Sequence, residues 1–244
     1  MGLAESRVTL KKESTEFIER AHLELEFIRK NGIIGEHGLY KNSSDLEEYS
    51  YANSFVSILE NMLGFKEDSN NRFQNILKYT FNGNNFSLKP NSNKINVPST
   101  IAGMMLLNKN EMYLSLDKCV KFKTRLYHNE FLTSSIDKNL SSVFFTALDG
   151  IFQLQLKNYK KAHKILENIE KNAKIGKHGT HMAYVDFGPE VGEIGLSVSI
   201  LKAHLNGYAA SEEYIQSSLS ICDNNISTHA LLGILFAVAS EYDI

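Results

Sequence analysis

Apolar side chains recur at helical spacing along most of the 244 residues, and strand-like alternation is scarce. Phe17, Ala21, Leu25 and Ile28 fall on one stripe among Glu and Arg, which predicts an amphipathic helix over residues 3–30, stopped by Asn31-Gly32. The cluster Ser43-Ser44-Asp45 reads as an N-cap, with Glu47 and Glu48 in the first turn of a second helix. That helix carries apolar residues on nearly every side, from Tyr51 through Phe55 and Leu59 to Leu63, so it should be deeply buried before it ends at Gly64. A third helix is predicted over residues 70–80.

Residues 82–97, rich in Asn, Ser and Gly, read as a long loop, either a lid or a mobile segment. Beyond it helices recur in pairs, an apolar one followed by an amphipathic one. The predicted pairs are 99–107 with 111–128, 140–156 with 159–173, and 189–206 with 211–222; a last apolar helix covers 227–242. An apolar helix must be surrounded, while an amphipathic one covers it and faces water. If the last helix pairs with the first, the count closes at five inner and five outer helices. This predicts one all-α domain over residues 1–244, an α/α toroid closed by its terminal helices; the competing arrangement is an open superhelix of hairpins.

One internal repeat stands out. Ile34-Gly35-Glu36-His37-Gly38 leads through Tyr40 to Ser57-Ile58-Leu59, and Ile175-Gly176-Lys177-His178-Gly179 leads through Tyr184 to Ser199-Ile200-Leu201. The histidines are 141 residues apart and the Ser-Ile-Leu triplets 142, the mark of a duplicated unit. Of 15 glycines, eight cluster at Gly32, Gly35, Gly38, Gly176, Gly179, Gly188, Gly192 and Gly195, where tight loops need them. The second loop is the richer in chemistry. His178, His181, Tyr184 and Asp186 are candidates for proton transfer. His37, Tyr40, Glu48, Glu190, Glu193 and His229 are candidates for substrate contact, since inner helices of a ring all start on one rim. Each has a plainer role available: His beside a helix end, Glu190 and Glu193 as first-turn acids. His178 and His181 have a spacing that a turned loop could bring onto a metal, but no metal is assigned and no cofactor is named. His22, His128, His163 and His204 read as surface or packing residues, and Lys109, Lys118, Lys121 and Lys123 as a solvated face.

Composition narrows the partners. Net charge is −2, which gives no reason to expect nucleic acid. The longest purely apolar run, residues 230–239, is far short of the ~20 residues that cross a bilayer. The two cysteines, Cys119 and Cys222, lie outside any paired spacing and read as reduced core residues. No apolar stretch precedes the first charges, so the expected location is cytoplasmic. A peptide, a sugar-like small molecule or a partner protein remain as ligands.

Three segments carry a resemblance. Thr100-Ile101-Ala102-Gly103-Met104-Met105, Gly192-Glu193-Ile194-Gly195-Leu196-Ser197 and His229-Ala230-Leu231-Leu232-Gly233-Ile234 resemble the small-residue inner helices of lanthionine cyclases and related α/α toroids. The resemblance implies a toroid with a site at its central mouth and a peptide substrate. The cyclases bind zinc through two cysteines and a histidine; neither cysteine here stands in a Cys-Gly or Cys-His-Gly setting, so the zinc chemistry is not implied. Polysaccharide lyases and glycoside hydrolases share the toroid shape, and their His, Tyr and acidic chemistry suits the second loop, which implies a sugar-like substrate.

Overall fold

The computed structural model describes residues 2–42, 45–135, 138–223 and 225–242. Among them run ten α-helices: α1 Gly2–Asn31, α2 Ser50–Met62, α3 Lys66–Thr80, α4 Val97–Lys109, α5 Tyr113–Thr124, α6 Val143–Gln155, α7 Tyr159–Asn172, α8 Gly192–Asn206, α9 Glu212–Leu219 and α10 Ile226–Tyr242. The fold is all-α, as the periodicity predicts.

Burial divides the helices into two kinds. Every residue of α4 from Val97 to Leu107 is buried, whereas α7 buries one stripe formed by Ala162, Ile165, Leu166, Asn168 and Ile169. The apolar helices pack on one another in sequence: α2 on α4, α4 on α6, α6 on α8, α8 on α10, and α10 back on α2. Each also receives a main amphipathic partner, α3 on α2, α5 on α4, α7 on α6, α9 on α8 and α1 on α10, and α7 reaches across to α8 as well. The turns that carry the chain from apolar to amphipathic helix each use one residue of positive φ, at Gly64, Glu111, Lys157 and Gly207. Such a residue ends a helix within one step. The connections running the other way are longer, from six residues between α9 and α10 upward, and all of them lie where apolar helices begin.

Two of those connections differ from expectation. Residues 82–97 are neither lid nor free loop. Antiparallel bridges join Phe81 to Phe86 and Ser87 to Ile95, and Phe86 is fully buried. Its amide donates to Thr100 Oγ1 (3.1 Å), and its ring fills the space a side chain at Gly103 would need, 2.4 Å from an added Cβ. Asn96 then caps α4, accepting from the Ser99 amide. Residues 127–142, expected as helix on both sides of a break, instead form an antiparallel sheet of β1 Tyr127–His128, β2 Phe131–Ser135 and β3 Lys138–Ser142. Asn129 and Glu130 both have positive φ (47° and 67°), the geometry of a tight two-residue hairpin turn, and aromatic and β-branched residues flank it.

Smaller corrections concern ends. α2 starts at Ser50, after Tyr49, rather than behind Asp45; Ser43 and Ser44 lie outside the described residues. Asp45 instead receives the Tyr49 hydroxyl and the Glu47 amide. α3 starts at Lys66, α8 at Gly192, and α9 is shorter than expected, preceded by a 3-10 turn over Tyr208–Ser211. Lys123 is not on a solvated face. It is buried, paired with the fully buried Asp149, which also receives the Tyr127 hydroxyl and the Gln153 side-chain Nε2 (3.1 Å). A buried ammonium is tolerable only with such a partner. Burial lowers the Lys123 pKa despite the opposing pull of Asp149.

Phe86→Ala should therefore cost about 3–5 kcal/mol of stability in a urea unfolding experiment. A loss under about 1 kcal/mol would mean that residues 82–97 are not pinned to α4 by this ring.

Candidate functional site

The repeated Gly-x-His-Gly segments fold into two copies of one hairpin. In the first, the Gly35 amide donates to Leu39 O (2.8 Å) and the Gly38 amide to Gly35 O (3.1 Å); in the second, Gly176 donates to Thr180 O (2.8 Å) and Gly179 to Gly176 O (3.2 Å). Gly38 and Gly179 have φ of +70° and +86°, which a side chain would strain. A carboxylate locks each copy. Glu48 accepts from the amides of His37 (3.2 Å) and Leu39 (3.3 Å) and meets His37 Nδ1 at 2.5 Å. Glu190 accepts from the amides of His178 and Thr180 (both 3.1 Å) and from the Thr180 hydroxyl (3.0 Å). A Cβ on Gly35 would stand 2.4 Å from the Glu48 carboxyl carbon, and one on Gly176 only 2.2 Å from that of Glu190. The glycine leaves the room that the carboxylate takes. Glu48 and Glu190 are thus engaged by their own hairpins.

The residue after each hairpin is held from the following helices, and here the copies diverge. The Tyr40 backbone is gripped by the Asn53 side chain (2.7 and 2.9 Å), and its ring lies under Arg72, which pairs with Glu60. The corresponding residue in the second copy is His181. Its amide donates to the Tyr214 hydroxyl (2.9 Å), and that hydroxyl meets its Nδ1. Its Nε2 is buried without a hydrogen-bond partner among the described residues. Burial, aided by the Lys202 charge, pushes His181 down to about 4, so the ring is neutral near pH 7.

The remaining candidates occupy separate places. The His178 side chain is exposed at the hairpin tip, while the His181 ring is buried. His229 stacks on Phe27 (centroids 3.9 Å) and meets Glu24 at 2.6 Å, beside a cleft of about 280 Å³ at the seam of α1 and α10. Glu193, in the first turn of α8, accepts from Ser227 (2.5 Å) and Asn225 (3.3 Å). Tyr51 lies near it, and burial together with the Glu193 charge raises the Tyr51 pKa. His178, His181, His229 and Glu193 therefore belong to different local structures. Among the described residues no group of three or more His, Cys, Asp or Glu is arranged to hold a metal.

Tyr184 and Asp186 do share a site. They line a cleft of about 410 Å³ between the β1–β2 turn, the C-terminal half of α7 and residues 184–187. Tyr184 packs at a tilt on Phe187 (centroids 5.1 Å), and Phe187 is 51% exposed. Facing them are His128, Asn168 and Asn172. Asn172 donates to the Asn168 side chain (2.6 Å), and Asn168 donates to the Glu130 carbonyl (3.2 Å). Asn168, Asn172 and Phe187 carry no reading from the sequence, and His128 reads there as a surface or packing residue. The available signals were the hairpin turn beside His128, an asparagine pair four apart on one helix, and an exposed Phe next to Gly188.

No family model matches the chain, and no curated protein does either. A solved structure described as "a novel alpha-amylase from Clostridium perfringens" matches over 91% of this chain and 97% of that one, with a TM-score of 0.51 and 13% identity. At that identity the likeness is one of fold. No helix among the described residues is long and apolar enough to cross a membrane.

Two measurements follow. The His181 ring resonances should not titrate between pH 8 and pH 5.5; a midpoint near 6.5 would contradict its buried, neutral placement. For Glu190, partial burial acts to raise the carboxyl pKa, but the hydrogen bonds from His178 and Thr180 outweigh it and lower the value below the usual 4.5. The unfolded chain then binds this proton more tightly, so Glu190's stabilisation is full above pH 4.5 and fades as pH falls through its lowered folded value. Glu190→Ala should cost about 1–3 kcal/mol at pH 7, toward the low end because the hairpin tip meets water. The difference from the unsubstituted protein should shrink at pH 3. A constant difference across that range would contradict the locked-hairpin role.

Proposed function

We propose that this chain is an α/α toroid, one domain over residues 1–244, that binds a sugar-like ligand in the cleft beside Tyr184 and Phe187. The observation that supports this most is the lining of that cleft, a half-exposed aromatic pair opposite two side-chain amides and a carboxylate. Aromatic faces take the C–H faces of a sugar ring, and Asn and Asp pair with its hydroxyls. Tyr184 and Asp186 thereby act as ligand contacts. The fold likeness to an α-amylase supports starting the search with α-glucans.

Binding is favoured over hydrolysis by the state of the two cleft carboxylates. Glu130 is paired with Lys164 (2.6 Å), and Asp186 faces Lys174 (3.9 Å), both exposed to water. A proton-transfer role for His181 fits poorly with its burial against Tyr214. Cyclase-like chemistry is less well supported still. The thiols of Cys119 and Cys222 are each pushed up to about 12, chiefly by burial. Cys222 is also pressed against Gly192, where an added Cβ would stand 2.3 Å from its sulfur. A second reading, a non-catalytic module for a partner protein, rests on the exposed Ile33, Ile34 and Ile175 of the two hairpins.

Titration with maltohexaose and a panel of other oligosaccharides, followed by amide resonances, tests the proposal. At least one saccharide should shift residues 184–187 together with Asn168 and Asn172. Phe187→Ala should weaken it about fivefold, the worth of one aromatic contact. Shortening of the saccharide would turn the reading toward hydrolysis, and a panel that shifts none of these residues would overturn it.

A further inference from the structure

A second cleft, of about 300 Å³, opens between the C-terminal end of α5 and α7 and is lined by Thr124, Tyr127, Ile165, Lys161, Lys164 and the shared wall of Glu130 and Asn168. Its floor is apolar. The Tyr127 hydroxyl is turned inward onto the buried Asp149, which leaves the ring facing the opening. Its rim is cationic. Lys164 is tied to Glu130, but Lys161 stands over the Tyr127 ring, 5.9 Å from its centre, without a carboxylate partner among the described residues. Along this stretch Lys157, Lys160, Lys161 and Lys164 fall within eight residues of a chain whose net charge is −2, and the carboxylate on the cleft wall, Glu130, is already taken up by Lys164.

An apolar floor under an uncompensated ammonium selects for both properties at once. A bare inorganic anion would leave Tyr127 and Ile165 unused. A neutral hydrocarbon would leave Lys161 without a counter-charge. At roughly 30 Å³ per water in the liquid, the cleft has room for about ten water-sized groups, enough to take an eight-carbon carboxylate. We propose that the α5–α7 cleft binds an organic monoanion with an apolar body, a medium-chain carboxylate, whose charge meets Lys161 and whose chain lies on Tyr127 and Ile165. Its position next to the aromatic cleft, across Glu130 and Asn168, makes it a separate site and not an extension of the saccharide contacts.

Isothermal titration with octanoate, octan-1-ol and inorganic phosphate is the test, with amide resonances to locate the site. Octanoate should bind and shift residues 124–127 and 161–168, at least tenfold more tightly than octan-1-ol or phosphate. Lys161→Gln, at an exposed position that leaves the fold intact, should weaken octanoate about five- to tenfold. Phe187→Ala should leave octanoate binding unchanged, which separates this site from the saccharide cleft. The proposal is overturned if octanoate does not bind, if octan-1-ol binds equally well, if Lys161→Gln has no effect, or if the shifted residues lie elsewhere.

Discussion

A helix without a polar side has to be enclosed, and this requirement organises the molecule. In α10 every side chain from Ile226 to Ser240 is buried except His229, which is half-buried. Such a helix gains nothing from water on any face, so it takes α2 and α8 as neighbours and α1 as its cover. The same holds for α4 between α2 and α6. Once each apolar helix has two apolar neighbours and one amphipathic cover, the neighbour order returns to its start. The first and last helices, α1 and α10, are then adjacent. Small residues permit the close approach: an added Cβ at Gly233 would stand 2.5 Å from Leu59 on α2, and one at Gly150 on α6 would stand 2.7 Å from Leu201 on α8.

The proposed saccharide cleft draws on the connections at the end where apolar helices begin. There the chain reuses one device, a glycine-hinged hairpin whose vacant Cβ position is occupied by a carboxylate. The device fixes the turns at residues 35–39 and 176–180, and in the first copy it sets Leu39 and Tyr40 into the core. In the second copy it delivers the chain into the stretch from Tyr184 to Phe187, one wall of the aromatic cleft. The copies then diverge in what they pack beneath: Tyr40, Arg72 and Glu60 in one, His181, Tyr214 and Lys202 in the other. An ion pair has been exchanged for a histidine–phenol pair beneath a lysine, while the hairpin geometry is kept.

The periodicity of apolar positions was enough to read ten helices and their division into two kinds, because enclosure leaves a direct trace in which positions can be polar. The repeated Gly-x-His-Gly was legible too, although the partners of its glutamates were not. Glu48 and Glu190 resemble first-turn acids, yet both turn back onto amides about ten residues upstream. The β1–β3 sheet escaped notice because its strands are short and its turn is Asn-Glu, not the Asn-Gly that advertises such hairpins. Lys123 looked like one of several surface lysines, since its partner Asp149 is on the next apolar helix and nothing local marks the pairing. The aromatic cleft was half legible: Tyr184 and Asp186 come from the loop that drew attention, but His128, Asn168 and Asn172 come from elements that only the fold brings alongside.

The central claim is that α10 is enclosed on every side and unfolds only with the whole. Native-state hydrogen exchange of the amides in α10, compared with those of α2 and α8, tests it most directly. The account predicts that all three helices exchange at the same slowest limit, set by global unfolding, and move together with added urea. Exchange of α10 through a separate, lower-energy opening while α2 and α8 stay protected would contradict it.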